Sequence, residues 1–250
     1  MSDLLMRDAA PLTTGEWERL DEVIVKVARQ YLVGRQFIEL VGPLGAGTEV
    51  IPLGTGAARR FIGLEMISAD FSLAWRDVLA SRDAHMPLEV GPAAMAAAKC
   101  AKAEDKMIFD TMFKTAKKTV PLGDWGAGES PLFAVSAASE ALIADDFYGP
   151  FAVVLSPSLY AMTERVSHGM GRTMGRMLKE VAEGGLFRSP LLGKDQGLVV
   201  SLGAFNFDLV IGQDLIAAYA GNDGLDQTFK VMETLALRIK QPGAICKFGK

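Results

Sequence analysis

The stretch that most constrains this chain runs from Tyr31 to Gly45 and reads YLVGRQFIELVGPLG. It combines a helix end, a short alternating segment and a Gly-Pro break. Gly34 stands where a helix C-terminal cap often needs a positive φ angle, so we predict that a helix ends there. None of the side chains is an obvious nucleophile or metal cluster. The stretch therefore predicts a structural junction and favours a building block over a catalyst.

An amphipathic helix is predicted immediately before this junction. Thr13 or Thr14, followed by Glu16, gives the signal of a helix N-terminus. Apolar residues then recur at three- and four-residue spacing, which is typical of a helix that buries one face: Trp17, Leu20, Val23, Ile24, Val27, Tyr31 and Leu32.

The residues after the junction, 45–63, are rich in glycine and show little periodicity. They predict an extended hairpin or loop. The glycines do not indicate a phosphate-binding loop, because no Gly-Lys-Ser/Thr ending follows them.

The rest of the chain mixes helical and strand patterns. Helices are predicted at 93–104 and 132–144 and from 157 onwards, and strands at 61–73, 151–155, 197–202, 207–211 and 229–240. The neighbouring acids Glu104 and Asp105 would point about 100° apart on a helix, so we expect them to face solvent.

Composition excludes several classes of protein. The chain has 250 residues, of which 50% are hydrophobic, and this is enough for one large core or two small ones. No long apolar run or signal peptide is present, which predicts a cytoplasmic protein away from membranes. Cys100 and Cys246 show no spacing motif and suit a reduced compartment. The net charge of −4 gives no general attraction for nucleic acid.

Candidate catalytic groups are sparse. The two histidines, His85 and His168, have no Cys, Asp or Glu at ligand spacing, and no Gly-x-Ser-x-Gly elbow occurs. We therefore predict no catalytic residue and no metal site.

Several motifs resemble those of the encapsulins, shell proteins of the linocin/bacteriocin-type family that share the tailed-phage major capsid fold. GRQFIE followed by GPLG, within the junction, resembles their N-terminal signature. GPFAVVLSP at 149–157 and GQDL at 212–215 are similar to further family segments. DFSLAWRD at 70–77 resembles the branch associated with ferritin-like, iron-storing cargo. The resemblance covers essentially the whole chain.

The resemblance implies an α+β, phage major-capsid-like fold. Its expected parts are an N-terminal arm and helix with the start of the peripheral domain (1–44), a shortened extended loop, or E-loop (45–70), a peripheral domain with a spine helix and a long sheet (71–125), an apical domain (126–225) and a C-terminal return to the peripheral domain and E-loop base (226–250). The segment after Phe109 is also shorter than in the family. Either a longer spine helix or a trimmed loop would follow.

The same resemblance implies a self-assembling homo-oligomer, an icosahedral shell that encloses a cargo enzyme and admits small solutes through pores. Cargo would bind through a short C-terminal targeting peptide, and no membrane or nucleic acid partner is expected. The shell would need no cofactor, although the resemblance leaves open a bound flavin. The implied cargo-peptide contacts are Leu32, Arg35, Phe37, Glu39, Leu215 and Ile216. The implied pore-lining residues are His168, Met170 and Arg172, and a ring of arginines would favour anions.

Three other interpretations remain open at this point. A phage or prophage capsid protein shares the fold but should package nucleic acid. A soluble, protease-like hydrolase is an alternative from another class. A divergent subunit that assembles only with a partner would explain the two shortened segments.

Overall fold

The computed structural model describes residues 3–83, 86–126, 130–166 and 171–248. The chain forms two compact units. The first comprises Met1–Leu32, Val41–Glu104 and Val210–Ala236. The second comprises Val33–Leu40, Asp105–Leu209 and Leu237–Lys250.

Helix α1, Thr14–Tyr31, lies in the first unit and confirms the amphipathic prediction. Its start is a complete capping box. The Glu16 amide donates to Thr13 Oγ1 at 3.3 Å, and the Thr13 amide donates to Glu16 Oε2 at 2.7 Å. These bonds satisfy helix-end donors that have no partner within the helix. The buried face is Trp17, Leu20, Ile24 and Ala28, which follows the predicted spacing.

The long sheet has the strand order β1-β9-β10-β4. The strands are β1 (Leu40–Val41), β4 (Glu65–Leu73), β9 (Phe207–Asp223) and β10 (Asp226–Ile239). In the first unit β10 pairs antiparallel with β4, and this places Phe229 opposite Phe71. Their rings stack at 5.2 Å, and Trp17 of α1 meets Phe229 edge-on at 5.5 Å. This aromatic cluster joins α1 to the sheet.

Two helices follow β4. They are α2 (Trp75–Asp83) and α3 (Gly91–Thr115). Small buried side chains of α3, among them Ala93, Ala97 and Cys100, lie in the same apolar core as Trp17 and Phe229. Helix α3 continues through Phe109 to Thr115, so the segment directly after Phe109 is helical.

The glycine-rich segment forms a hairpin, as predicted. Strand β2 (Val50–Leu53) pairs antiparallel with β3 (Arg60–Gly63). Alternate positions bury Ile51 and Leu53. Val50 and Phe61 remain exposed, Phe61 by 63%, so one face of the hairpin presents apolar groups to solvent.

The second unit contains a sheet with strand order β5-β11-β8-β6-β7. Its strands are β5 (Lys118–Val120), β6 (Phe151–Leu155), β7 (Gly185–Arg188), β8 (Gly197–Ser201) and β11 (Ile245–Phe248). The same unit contains the helices α4 (Ser130–Ile143), α5 (Pro157–Thr163) and α6 (Met174–Val181). Every residue of β6 and β8 is buried, as expected for strands covered on both faces.

Candidate functional site

Leu32 and Leu215, two of the expected cargo contacts, come together in the first unit. Leu32 packs in a small apolar cluster with Ala28 of α1 and Ala101 of α3, and the half-buried Tyr31 and Leu215 pack against that cluster. The Lys102 ammonium lies 5.0 Å from the centre of the Tyr31 ring, within the range of a cation–π interaction. We call Tyr31, Leu32 and Leu215 the apolar shelf.

Ile216 follows Leu215 on β9 and is also half-buried. Because successive strand residues point to opposite faces, its side chain and that of Leu215 point to different faces of the strand. The backbone here is held by nearby groups: the Leu215 amide donates to Asp214 Oδ1 at 2.9 Å, and the Ala217 carbonyl accepts from Arg7 Nε at 3.0 Å.

Arg35, Phe37 and Glu39 lie in the second unit. Phe37 is only 9% exposed, and its ring packs against Phe187 at 5.3 Å and Phe109 at 6.5 Å. Arg35 is half-buried and Glu39 is exposed. The side chain of Phe37 therefore packs in the core at the junction, while Glu39 is exposed to solvent.

The junction itself differs from the prediction at Gly34. This residue lies in a 3-10 turn, Gly34–Gln36, and does not adopt a positive φ angle. Glycine is required by space instead: a Cβ atom there would lie 2.7 Å from Ile108 Cδ1 and 3.2 Å from Asp105 Oδ1. Helix α1 ends at Tyr31, close to the predicted point, but the need for glycine at position 34 has a different physical reason.

The prediction that Glu104 and Asp105 face solvent is wrong. Glu104 and Asp105 are both buried, not solvent-facing. Asp105 accepts the Val33 and Gly34 amides at 2.8 and 2.9 Å, so it fixes the start of the junction. A signal was available, because Asp105 falls in phase with the buried Ala101, Ile108 and Met112 along α3.

The pore candidates are only partly described. Arg172 is exposed and forms an ion pair with Glu180 at 3.2 Å. His168 and Met170 lie outside the described residues.

The cysteines are buried and free. Burial raises the pKa of the Cys100 thiol to about 12 and that of Cys246 to about 11, so both remain protonated and unreactive at neutral pH. In the part of the chain that the structure describes, no three His, Cys, Asp or Glu residues come together as metal ligands would. None of the helices described there is long and apolar enough to cross a membrane.

Residues 1–236 match the model of the family described as "Encapsulating protein for peroxidase". The chain is also 38% identical to the type 1 encapsulin shell protein EncA of Myxococcus xanthus, over 98% of this chain and 96% of that protein. This chain belongs to the encapsulin family.

This encapsulin is also similar to a fusion protein in sequence and to solved particle subunits in fold. A ferritin-like–encapsulin shell fusion protein of Pyrococcus furiosus is 28% identical over 58% of this chain and 42% of that protein. The virus-like particle from Pyrococcus furiosus superposes with a TM-score of 0.82 at 19% identity, over 93% of this chain and 99% of that one. The capsid protein of phage XM1 superposes with a TM-score of 0.59 at 12% identity, over 87% of this chain and 91% of that one.

These likenesses confirm the phage major-capsid-like fold. The family match decides between the classes of function, because encapsulins are capsid-like structural proteins. The chain is a shell protein of a nanocompartment and not an enzyme. The hydrolase alternative is therefore dropped. The phage-capsid alternative shares the fold, but the family match favours the compartment.

Proposed function

We propose that this encapsulin assembles into a closed icosahedral homo-oligomer in the cytoplasm and encloses a cargo enzyme. A ferritin-like protein is the first candidate, which would make the compartment an iron store that also limits oxidative stress. The observation that carries the proposal is the near full-length match to the encapsulin family. The DFSLAWRD segment and the ferritin-like fusion relative favour this cargo.

A peroxidase is the second candidate, because the family description names one. The two cargoes differ in their products. A ferritin-like enzyme would leave an iron mineral in the lumen, whereas a peroxidase would leave haem absorbance and consume peroxide.

Cargo would bind through a short C-terminal peptide that lies on the apolar shelf. Tyr31 and Leu215 are both half-buried, so each offers apolar surface that a peptide side chain can cover. Arg35, Phe37, Glu39 and Ile216 stay predicted contacts of the cargo peptide, as the family resemblance implies. Each contact is weak, but many copies facing one lumen multiply the overall affinity.

Small solutes would enter through pores near His168, Met170 and Arg172. An arginine side chain in a narrow opening attracts anions and opposes cations through Coulomb interaction at close range. The shell itself would act through its interfaces and needs no cofactor. The visible absorbance spectrum of purified particles would reveal a flavin if one were bound.

Negative-stain microscopy and size-exclusion chromatography of the chain expressed alone test the assembly. Closed particles of uniform diameter, with an ultraviolet absorbance ratio typical of protein, would support an empty compartment. Particles filled with nucleic acid would indicate a phage-type capsid. A monomer or small oligomer would overturn assembly by this chain alone and would point to a partner subunit.

Co-expression with the ferritin-like protein encoded nearest to the shell gene tests the cargo. We expect the ferritin-like protein to co-purify with particles of the unmodified shell. Particles of the Leu215→Asp variant should lack this cargo. Leu225→Asp is the matched control, because Leu225 is 66% exposed in the same unit but lies outside the shelf. Equal loading of both variants would contradict the proposed shelf.

A further inference from the structure

A cavity of about 320 Å³ lies at the start of helix α6, within the second unit. Its basic side chains are Arg172, Arg176 and Lys179. Arg176 and Lys179 stand three residues apart on α6, which puts them on one face of that helix, and Arg172 lies just before its N-cap. Glu164, Thr173 and Gly175 also line the cavity.

The charge of this cavity is not balanced by its own acids. Arg172 pairs with Glu180 at 3.2 Å. Arg176 and Lys179 form no ion pair with any carboxylate of the described residues. Glu164 is the acidic residue in the lining, and it lies near Gly175, where a Cβ atom would be 3.5 Å from its Oε1. The cations of Arg176 and Lys179 therefore share the carboxylate of Glu164, and the electrostatic potential of the cavity stays positive.

The backbone adds to this potential. Thr173 is the N-cap of α6, but its side chain forms no capping hydrogen bond, so its hydroxyl is not committed to the helix. The first turn of a helix carries a partial positive charge. This contribution is secondary to the side chains of Arg176 and Lys179, which can approach an anion directly.

The size of the cavity limits its ligand. A volume near 320 Å³ is at the lower end for small-molecule pockets, which suits a small ion with its waters better than a nucleotide. Guanidinium and ammonium groups bind phosphate oxygens through charge-assisted hydrogen bonds.

We propose that this cavity is a binding site for a tetrahedral oxyanion of the phosphate class, held by Arg176 and Lys179. The site is contained in one subunit, so it does not depend on the proposed cargo or on the proposed pores. If Arg172 does border a pore, the site would hold phosphate near that opening.

Equilibrium dialysis of inorganic phosphate against the purified full-length chain, in the assembled form it adopts, tests the site. We expect saturable binding with one phosphate per subunit. Arg176→Gln and Lys179→Gln should each weaken it about tenfold, since each removes one charge-assisted contact. Both side chains are exposed, so the fold should tolerate the changes. Sulfate should compete, and chloride at the same ionic strength should not.

Lys194→Gln is the matched control. It removes the same charge from an exposed lysine of the same unit, but that lysine lines a different cavity. Binding in this variant should match the unmodified protein. The absence of saturable phosphate binding would overturn the proposal. Equal weakening by Lys194→Gln and Arg176→Gln would also overturn it, because it would show attraction by net charge alone. A failure to assemble would instead count against the compartment.

Discussion

The two units of this subunit differ in how completely their strands bury apolar side chains. In the second unit, strands β6 and β8 are buried along their whole length. In the first unit, strand β4 and the β2–β3 hairpin leave Phe61 and Met66 exposed by 63 and 66%. Val50, which is 56% exposed, lies on the same face of the hairpin as Phe61, and contiguous exposed apolar groups often mark interaction surfaces. The difference shows that the inner strands of the second unit are covered within one chain, whereas the hairpin and β4 of the first unit leave apolar groups that we expect a neighbouring copy to cover.

The largest effect is expected at the hairpin of the first unit. Phe61→Asp should abolish closed particles and leave a folded small oligomer, because a charge would replace apolar surface that we expect a second subunit to cover. Size-exclusion chromatography would show the loss of closed particles, and circular dichroism would show that the subunit stays folded.

Phe205→Asp is the control for that comparison. Phe205 is 73% exposed but lies in a turn of the second unit, outside any strand that could pair with a neighbour, and we expect its replacement to leave particles intact. If it blocked assembly as completely as Phe61→Asp, the contrast between the units would be wrong.

The next effect concerns the closed core of the second unit. Leu155→Ala on β6 removes a fully buried side chain and should lower the free energy of unfolding by about 2–5 kcal/mol. Chemical denaturation of dissociated subunits would measure it. Lys194→Ala, on an exposed lysine of the same unit, should change stability by less than about 0.5 kcal/mol. A loss below about 1 kcal/mol for Leu155→Ala would show that this core is loosely packed.

A smaller loss is expected at Asp105, which fixes the junction. Asp105→Ala leaves the Val33 and Gly34 amides without this acceptor and should cost about 1–3 kcal/mol. The control is Asp110→Ala, which removes an exposed carboxylate paired with Lys106 and should cost less than about 1 kcal/mol. Denaturation midpoints of the two variants would separate the roles, and equal midpoints would contradict the anchoring role of Asp105.

The smallest effect lies at the start of α1 in the first unit. The Arg82 guanidinium donates to both carboxylate oxygens of Glu16, at 3.0 and 2.7 Å, and these hydrogen bonds hold the pKa of Glu16 below its ordinary value of 4.5. The stabilisation is therefore present above pH 4.5 and is lost as the pH falls through the lowered pKa. We expect at most about 1 kcal/mol, since Arg82 is well exposed.

Thermal unfolding of the wild type and Glu16→Gln as a function of pH would test this. The difference between them should shrink below pH 4.5. A difference that stays constant down to the acid limit would show that the ion pair does not contribute.

Some features of this protein follow from its amino-acid sequence alone. The spacing of Trp17, Leu20 and Ile24 and the Thr13–Glu16 pair locate α1, because both are local patterns with a direct helical meaning. The apolar run at 151–155 indicates a buried strand, and the quoted motifs indicate the family. The placement of cargo and pore residues stays a prediction.

Contacts between distant parts of the chain were decided only by the tertiary structure. Asp105 binds amides of residues more than seventy positions away, and the Arg7 guanidinium reaches the Ala217 carbonyl across 210 positions. Gly34 is required because α3 passes close to it, not because of its own φ angle. Local patterns determine which face of an element is apolar. Which polar side chain is buried depends on the backbone groups that packing brings to it, and these are not local in the sequence.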